Sequence, residues 1–531
     1  MKNLRLHHIS NLLIPCLLFS ISAGFLSAVV TTLFKLAAEK IIHFSGEIRT
    51  SVYADAKWLA LLVLGCAAIG FAASLILSFS RTCKGGGIPT SVAAIKGMIP
   101  FKWLPSVILL PFSALLTFFC GLPLGTEGPC VQIGTALGDG IVSCCAGKSK
   151  YRGWRRYIMT GGASAGFSVA TGAPITAVIF SIEEIQKRLS PILLIVSSIS
   201  VTTAQLTANF LESIGIGTTK LFHIDVIPEM SHGVLLAPII TGLICGLSAI
   251  IFTRIYHAVD ELVRKILKKV SIKIVFPILF AAIAVVGFFI HDALGTGHGL
   301  VDALLYTKIK WYVLILLLLI RVVFMSFSNS SGVTGGVFLP TLAFGAIIGS
   351  LCAEAMIALG YLAPEYYTLT VILGITSFLG SVSRIPVTAC VFAIEAMGCI
   401  NNIIPLIIAS TVSLFTVELS GLDDFTDTVI HAKLKSITKG KKRTTVEVPL
   451  TVGADAFVIG KEVKDVLWPY SCLVLSFEHS NIVHGRSQIL EGDVVTVHYE
   501  TYNPTETADE LEILVGKQSE ETRRIMEQNS I

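Results

Sequence analysis

The sequence contains few charged residues for its length. Only 14% of its 531 residues are Asp, Glu, Lys or Arg, and 53% are hydrophobic, whereas soluble proteins carry about 25% charged residues. Leu12–Phe34 and Trp58–Phe79 contain no charged residue at all, and about 20 apolar residues suffice for a helix to cross a membrane. This composition excludes an ordinary soluble protein and predicts an all-α polytopic membrane protein.

Patterns typical of metal sites, disulfide frameworks and nucleic-acid binding are also missing. The 12 cysteines include no C-x-x-C pair and the 12 histidines show no ligand spacing, so we expect no metal site and no cofactor. The basic residues fringe the hydrophobic stretches instead of forming one patch, which argues against a nucleic-acid partner. By the positive-inside rule they favour an inner or plasma membrane protein with both termini cytoplasmic. The main basic clusters are Lys148–Arg156, Lys187–Arg188, Arg264–Lys269 and Lys433–Arg443.

Two motifs occur twice at nearly the same spacing. Gly125–Gly138 and Gly336–Gly349 share G-x3-P-x4-G-x3-G, and their prolines are 340 − 129 = 211 residues apart. Pro174–Glu183 and Pro386–Glu395 share P-x-T-A-x2-F-x-I-E, at an offset of 386 − 174 = 212 residues.

A third, weaker pair supports an internal duplication. Gly85–Ile88 and Gly297–Leu300 are 297 − 85 = 212 residues apart. Three pairs in the same order predict two related halves, at roughly residues 10–210 and 230–420. Internal repeats with segments broken by glycine and proline are typical of transporters whose binding site lies near the bilayer midplane.

The segment Gly125–Pro129 predicts a helix that begins inside the membrane. Glycine allows close approach of the backbone to a ligand, and proline is tolerated in the first turn of a helix. The N–H groups at such a start attract an anion or a carboxylate. Glu127 could therefore occupy an anion site and leave it when an anion enters or when the carboxylate is protonated. The alternative is a glutamate that only caps its own helix.

Two further glycine-rich turns have the same form. Gly85–Pro89 and Gly336–Pro340 each lead into a segment with proline near its start. Glycine in membrane helices often serves close packing alone. Three such turns in one membrane core nevertheless favour several helix starts around one dehydrated anion, bound without a full countercharge.

Two adjacent acids, Glu183 and Glu184, end the second repeated motif of the first half. They precede Lys187 and Arg188, which places them near the cytoplasmic face. Adjacent carboxylates can raise one another's pKa and pass protons. A solvated helix end with local ion pairs explains the same pattern equally well.

Together these segments resemble the signature regions of the CLC chloride channel and transporter family. GGGIP, GTEGP followed by CVQIG, GGVFLP and PxTAxxFxIEE occur in the family's order and spacing. The resemblance implies that residues 1–436 form a CLC-type inverted repeat of tilted and partial helices. It further implies a homodimer with one anion pathway per subunit, which transports chloride or similar anions and is not an enzyme.

Position by position, the resemblance implies roles for individual residues. Glu127 matches the gating glutamate that takes up external protons, and Glu184 matches the internal proton glutamate of the antiporter branch. The presence of Glu184 favours exchange of chloride and protons over a passive channel gated by voltage or pH. The matched anion-binding positions are Gly85, Gly86, Gly87, Gly128, Val337, Phe338, Leu339 and Phe425.

Three positions depart from the family pattern. Gly86 stands where chloride-selective members usually have Ser, and Phe425 where they usually have Tyr, so two hydroxyl donors are missing. Thr126 replaces a common Arg or Lys at the external entrance. A nitrate- or fluoride-preferring member is therefore an alternative, although the fluoride branch does not usually carry glycine at position 86.

Residues 437–516 predict a small α/β domain that resembles the TrkA-C regulatory domain of RCK-type proteins. Its short strands are expected at Val446–Leu450, Cys472–Phe477 and Asp493–Tyr499, with helices at Lys461–Leu467 and Glu506–Leu514. It could bind a small-molecule ligand, or serve only to dimerise or stabilise the protein. The charged segment 517–531 is expected to be disordered. The tail also leaves a cation transporter, or a receptor with a non-conducting core, as alternatives of another class.

Overall fold

The computed structural model describes residues 13–85, 87–145, 149–222, 224, 227–438, 443–477 and 485–527. Gly86, one of the predicted anion-binding residues, lies outside them. The chain is mainly helical, and its helices are α1 (Ile14–Ala54), α2 (Leu59–Phe79), α3 (Ile88–Ile95), α4 (Trp103–Phe119), α5 (Glu127–Cys145), α6 (Ser149–Arg152), α7 (Arg155–Thr171), α8 (Pro174–Phe180), α9 (Pro191–Ser213), α10 (Leu236–Lys269), α11 (Ile272–Phe289), α12 (His298–Tyr306), α13 (Trp311–Ser331), α14 (Phe338–Ala358), α15 (Tyr367–Val382), α16 (Pro386–Met397), α17 (Ile403–Glu418), α18 (Phe425–Ile437), α19 (Pro504–Val515) and α20 (Glu520–Glu527). A π-helical turn, Ser181–Gln186, directly follows α8.

Long apolar helices alternate with short ones in the membrane core. Within the described residues, eight helices are long and apolar enough to cross a bilayer. In contrast, α3, α8 and α16 have only 8, 7 and 12 residues, well below the ~20 needed to span. Each of these three has proline at its start, where the missing N–H costs nothing. The predicted partial helices are therefore present.

The order of helices in the first half returns in the second half. Helix α7 begins at Arg155 and its counterpart α15 at Tyr367, while α8 begins at Pro174 and α16 at Pro386. Helices α5 and α9 correspond to α14 and α17 in the same way. Each pair is separated by the offset that separates the repeated motifs. The duplication inferred from three motifs thus extends to whole helices.

The tail contains a three-stranded antiparallel sheet in the order β1-β3-β2, formed by β1 (Thr444–Thr451), β2 (Leu473–Phe477) and β3 (Val494–Thr501). Alternate residues of β1 are buried, as expected for a sheet with one face against a core. The three predicted strands and the helix at Glu506–Leu514 are present. The helix predicted at Lys461–Leu467 is reduced to a 3₁₀ turn at Val463–Asp465.

The prediction of disorder after Lys517 is wrong for residues up to 527. Helix α20 packs back on the tail domain, with Met526 buried and its carbonyl bonded to the Tyr499 hydroxyl at 3.0 Å. Arg523 forms ion pairs with Asp509 at 2.7 Å and with Glu512 at 2.6 Å. These contacts join residues that are separated in sequence, so a charged composition alone does not indicate them.

The tail domain contacts the ends of membrane helices. Arg156 at the start of α7 forms an ion pair with Glu510 at 2.7 Å. The Tyr157 hydroxyl accepts a hydrogen bond from the Leu467 N–H at 3.1 Å. Arg188, in the loop before α9, donates to the Val466 carbonyl at 2.8 Å.

Candidate anion and proton site

The two copies of the glycine-proline motif meet at the centre of the core. The Gly125 N–H donates to the Gly336 carbonyl at 2.6 Å, and the Gly336 N–H donates back to the Gly125 carbonyl at 2.7 Å. This pair of bonds joins the turn before α5 to the turn before α14. The sequence predicts two such turns, and the structure brings them into direct contact.

The start of α3 reaches the same point. A Cβ placed on Gly128 would lie 2.5 Å from Gly336 Cα, which is too close for any side chain, and 3.1 Å from Gly87 Cα, which is a tight contact. Gly87 has φ 131°, in the region that favours glycine. Three helix starts, those of α3, α5 and α14, therefore converge with only backbone between them. Such starts carry unpaired N–H groups and partial positive charge.

Glu127 lies in this junction and is fully buried. Its carboxylate accepts hydrogen bonds from its own backbone N–H and from the Thr126 hydroxyl at 3.2 Å. Oε2 has no hydrogen-bond partner among the described residues, and it lies 2.6 Å from where a Cβ on Gly125 would be. A buried carboxylate with an unpaired oxygen is costly unless the group has another state to adopt.

Two basic side chains from other helices act electrostatically on Glu127. They are Lys35 of α1 and His298 of α12. The Lys35 ammonium is buried and donates to the carbonyls of Val169 at 3.1 Å and Thr218 at 3.3 Å. Lys35 thus places a positive charge near Glu127, whose neighbour Thr126 carries none.

The predicted anion-binding residues differ in which N–H groups are available. The N–H groups of Val337, Phe338 and Leu339 precede or begin the first turn of α14, and no partner for them occurs in the described part of the chain. In contrast, the Gly85 N–H donates to the Gly332 carbonyl at 2.9 Å. An anion at this junction would therefore meet the start of α14 first.

Gly87 is also engaged within the protein. Its N–H donates to Gln132 Oε1 at 2.8 Å, and Gln132 Nε2 donates to the Thr82 carbonyl at 2.8 Å. Gln132 thereby holds the turn before α3 against α5. Direct donation from Gly87 to an anion would require this bond to open, which the sequence does not indicate. Gln132 lies in the CVQIG motif, but nothing in that motif shows which backbone group its side chain reaches.

A small cavity of about 20 Å³ borders the α14 start. This volume holds about one water-sized particle. The cavity brings together predicted site residues from both halves, namely Glu184, Val337, Phe338 and Phe425. Its other lining residues are Ile88, Pro89, Phe180, Thr341, Ser383, Ile385 and Thr426.

Glu184 is buried at one wall of this cavity. Its Oε1 accepts a hydrogen bond from the Thr426 hydroxyl at the start of α18, and its Oε2 has no partner among the described residues. Lys187, directly after the π-helical turn, forms ion pairs with Asp424 and, at 2.7 Å, with Asp427. The segment that carries Glu184 is therefore joined to the start of α18 by two sets of contacts.

Glu183 does not share the cavity with Glu184. Its carboxylate accepts hydrogen bonds from the Val387 and Thr388 N–H groups at the start of α16, at 3.1 Å and 2.7 Å. The adjacent acids thus have separate environments. The idea that they act on one another as a proton-passing pair finds no support in these contacts.

Aromatic rings form part of the cavity wall and pack against rings of neighbouring helices. Phe338 makes edge-to-face contacts with Phe167 and Phe392, at centroid distances of 5.1 Å and 5.4 Å. Phe425 is buried and packs against Tyr256 at 4.8 Å. The Tyr256 hydroxyl bonds Asn329 Oδ1 at 2.8 Å, so it is committed elsewhere and does not replace the hydroxyl missing at position 425.

The described residues contain no group of three or more His, Cys, Asp or Glu side chains that could hold a metal ion. The polar groups described at the helix starts are backbone N–H groups, two carboxylates, two threonine hydroxyls and the Gln132 amide. This arrangement suits a monovalent anion and a proton.

The profile of the voltage-gated chloride channel family matches residues 68–418. The chain belongs to this family. Among curated relatives, the H(+)/Cl(-) exchange transporter ClcA of Vibrio campbellii is 24% identical over 431 residues, covering 78% of this chain and 91% of the relative. ClcA of Salmonella schwarzengrund is 25% identical over 402 residues, covering 72% and 83%.

Solved structures show the same fold. A slow cyanobacterial Cl-/H+ antiporter superposes with a TM-score of 0.71 at 19% identity, covering 79% of this chain and 98% of that one. A CLC-type fluoride/proton antiporter gives a TM-score of 0.62 at 21% identity, covering 76% and 95%. The membrane core is therefore a CLC-type inverted repeat, followed by a small C-terminal sheet domain.

Proposed function

We propose that this CLC protein exchanges chloride, or a similar small anion, for protons. In this proposal Glu127 is the gate and external proton acceptor, and Glu184 is the internal proton relay. The observation that carries it is the placement of two buried carboxylates beside the α14 start, each with an unpaired oxygen among the described residues. The relatives named as H(+)/Cl(-) exchange transporters support the same interpretation.

The anion is held by main-chain groups. The N–H groups of Val337, Phe338 and Leu339 provide donors at a helix start, where a partial positive charge favours an anion. Among the described residues no arginine or lysine lines the cavity at this helix start, so binding is strong enough to remove water and weak enough to allow release. The Glu127 carboxylate competes for the same junction. Its departure on protonation opens the site.

Protons and anions share only part of the route. A proton that reaches Glu184 from the cytoplasm arrives at the cavity that Phe338 also lines, and the cavity has room for about one water. Transfer to Glu127 then passes the start of α14, where the anion binds. Exchange follows because Glu127 can leave the junction only when it is protonated or displaced.

Reconstituted protein tests this proposal. Liposomes that start with a proton gradient and equal chloride on both sides should accumulate chloride and so build up a chloride gradient. The reversal potential should depend on both chloride and pH. A reversal potential that follows chloride alone would instead indicate the passive channel. No movement of chloride, nitrate or fluoride would contradict anion transport altogether.

Selectivity for an anion other than chloride is a second candidate. The specific observation in its favour is Phe425, which lines the cavity and has no hydroxyl. A backbone site with few side-chain donors discriminates less by hydration and hydrogen-bond strength. Measuring chloride, nitrate and fluoride flux in parallel separates these possibilities.

We also propose that the functional unit is a homodimer in the inner or plasma membrane, with both termini cytoplasmic. Helices α9 and α17 carry large exposed apolar side chains, including Leu206, Phe210, Ile404 and Phe415. We propose that a second copy of the chain packs against these two helices. Mass measurement of the detergent-solubilised protein, with Leu206→Trp and Phe415→Ala variants, tests whether the exposed side chains of α9 and α17 hold the dimer together.

The tail domain is the proposed binding place for a small regulatory ligand. A cavity of about 370 Å³ lies where the tail meets α9, bordered by Ile192, Lys461 and Asp465. Its mixed charges favour a polar ligand. Thermal shift of the full chain against a panel of small metabolites tests this, and chloride flux in the presence of any hit shows whether it regulates.

A further inference from the structure

Each half of the protein caps a helix of the other half with a glutamate. Glu183 accepts from the Val387 N–H at 3.1 Å and from the Thr388 N–H and hydroxyl at 2.7 Å and 2.6 Å. Glu395 accepts from the Ile175 N–H at 2.8 Å and from the Thr176 N–H and hydroxyl, both at 2.7 Å. The two sets are equivalent, because the acids and the threonines occupy the same positions of the repeated motif.

Neither helix could supply this cap from its own start. The residues before α8 and α16 are Ala173 and Ile385, and neither makes a side-chain cap. Pro174 and Pro386 have no N–H to donate. The next two N–H groups and a threonine hydroxyl are therefore the donors, and a carboxylate at a helix start is favoured by its partial positive charge.

The caps fix the segment that carries Glu184 at both ends. Glu395 holds the start of α8, and Glu183 ties the π-helical turn at its end to α16. Glu184 follows directly and faces Thr426 on another helix. π-Helical turns are rare and frequently occur at functional sites, and here the turn orients neighbouring acids in different directions.

We propose that Glu183 and Glu395 form a reciprocal clamp between the halves and act as positioning residues for Glu184. The inference rests on the proposed proton role of Glu184. It assigns Glu183 no proton-carrying step, because three donors already occupy its carboxylate. It also gives Glu395 a role in proton coupling, although this residue lies in the half opposite to Glu184. Glu395 is followed by Ala396 and not by an acid.

The test compares Glu395→Gln and Glu183→Gln with Glu365→Gln, a control that removes an exposed carboxylate. Glutamine keeps the shape but places an NH₂ group against a donor or leaves one bond unmade. Proton and chloride fluxes are measured in liposomes, and amide hydrogen exchange of residues 174–186 is followed in the full-length protein.

We expect both clamp variants to lower the number of protons moved per chloride by at least about twofold, while chloride flux itself persists. Amide exchange in the segment should rise by at least about fivefold. The control should change neither quantity. Thr176→Val, which removes one donor to Glu395, should give a smaller loss in the same direction.

Several outcomes would overturn the clamp, and they differ from failure of the relay. Unchanged amide exchange in both variants would contradict the clamp, whatever the flux measurements show. Increased exchange with an unchanged proton-to-chloride ratio removes the positioning role. If Glu184→Gln itself retains full coupling, the relay assignment fails, and the positioning role for Glu184 fails with it.

Discussion

The Thr426 hydroxyl donates a hydrogen bond to the buried carboxylate of Glu184. Thr426 is the residue next to Phe425 at the start of α18. The proposed proton relay is therefore bonded to the helix start that borders the cavity. A change in the proton state of Glu184 and a shift of the α18 start would each affect the other.

Replacing Thr426 with valine tests this link. The variant removes the hydroxyl but keeps the branched shape, so the Glu184 carboxylate loses the bond that orients it. Loss of a hydrogen bond to a charged group costs about 1.5–3 kcal/mol, and we expect proton flux to fall at least about tenfold with a smaller effect on chloride flux.

Thr426→Ser is the matched control, because it keeps the hydroxyl. Serine should preserve proton flux within about twofold. A loss in the serine variant as large as in the valine variant would contradict the hydrogen bond as the cause, because serine keeps the hydroxyl.

Neutralising Glu127 separates the two fluxes. Glu127→Gln can no longer exchange a proton, so proton movement driven by a chloride gradient should vanish while anion flux remains measurable. General acid–base groups contribute roughly 10²–10⁴-fold to steps that they mediate, so the proton signal should fall below detection. Continued coupled proton movement in this variant would contradict the gate assignment. Proton-sensitive dye and chloride electrode recordings from the same liposomes give both readings.

Adding a hydroxyl at Phe425 should change anion preference. Phe425→Tyr brings a donor to the rim of the cavity lined by Glu184 and Phe338. A hydrogen bond to the smaller, more strongly hydrated anion favours chloride over nitrate, by about tenfold for a difference of about 1.4 kcal/mol. Phe252→Tyr is the matched control, because Phe252 packs against Phe425 at 5.8 Å but does not line the cavity. The same gain in both variants would exclude a local effect.

The tail domain should be less stable at low pH because of Lys461. Burial lowers the pKa of Lys461 to about 7 from its ordinary value of 10.5, and its ammonium lies 3.4 Å from the Phe457 ring centroid. The unfolded tail therefore binds more protons than the folded tail between these two pKa values, so tail stability rises with pH across this window. Each pKa unit corresponds to about 1.4 kcal/mol.

Lys461→Met should remove this dependence. The variant should stabilise the tail most below the lowered pKa of Lys461 and hardly at all near its ordinary pKa, measured as the urea midpoint of tail proteolysis in the full-length protein. Lys464→Met, at a partly exposed position paired with Glu462 at 2.7 Å, is the control and should leave the slope with pH unchanged. A urea midpoint of the unsubstituted protein that does not vary with pH would contradict the lowered pKa of Lys461.

Much of the fold could be predicted from the sequence because the repeated motifs occur in the same order and at a nearly constant offset in both halves. The offset between the repeated motifs also aligns the starts of α5 and α14 and those of α8 and α16. Proline and glycine punctuate the same places in both halves, and these residues act locally. The strands of the tail could be predicted from runs of β-branched residues, because strand propensity is also a local property of the sequence.

The contacts that complete the site could not be predicted in this way. Gln132 bonds Gly87, and Thr426 bonds Glu184 from a distant part of the chain. A signal for the capping by Glu183 and Glu395 is present, because both acids stand at one position of a repeated motif. The sequence alone indicates only a helix end there, since periodicity shows which residues share a helix and not which helix start a side chain reaches.

The two hydrogen bonds between Gly125 and Gly336 have a consequence for biogenesis. A ribosome must complete the rest of the first half and much of the second before the first turn meets its partner. Until then the first half lies in the bilayer while the Gly125 N–H and carbonyl lack their partners on Gly336. The translocation machinery or lipid headgroups must accommodate these unpaired groups. Chains that terminate between the two halves should consequently be recognised as unfinished and degraded, even though all of their own helices can insert.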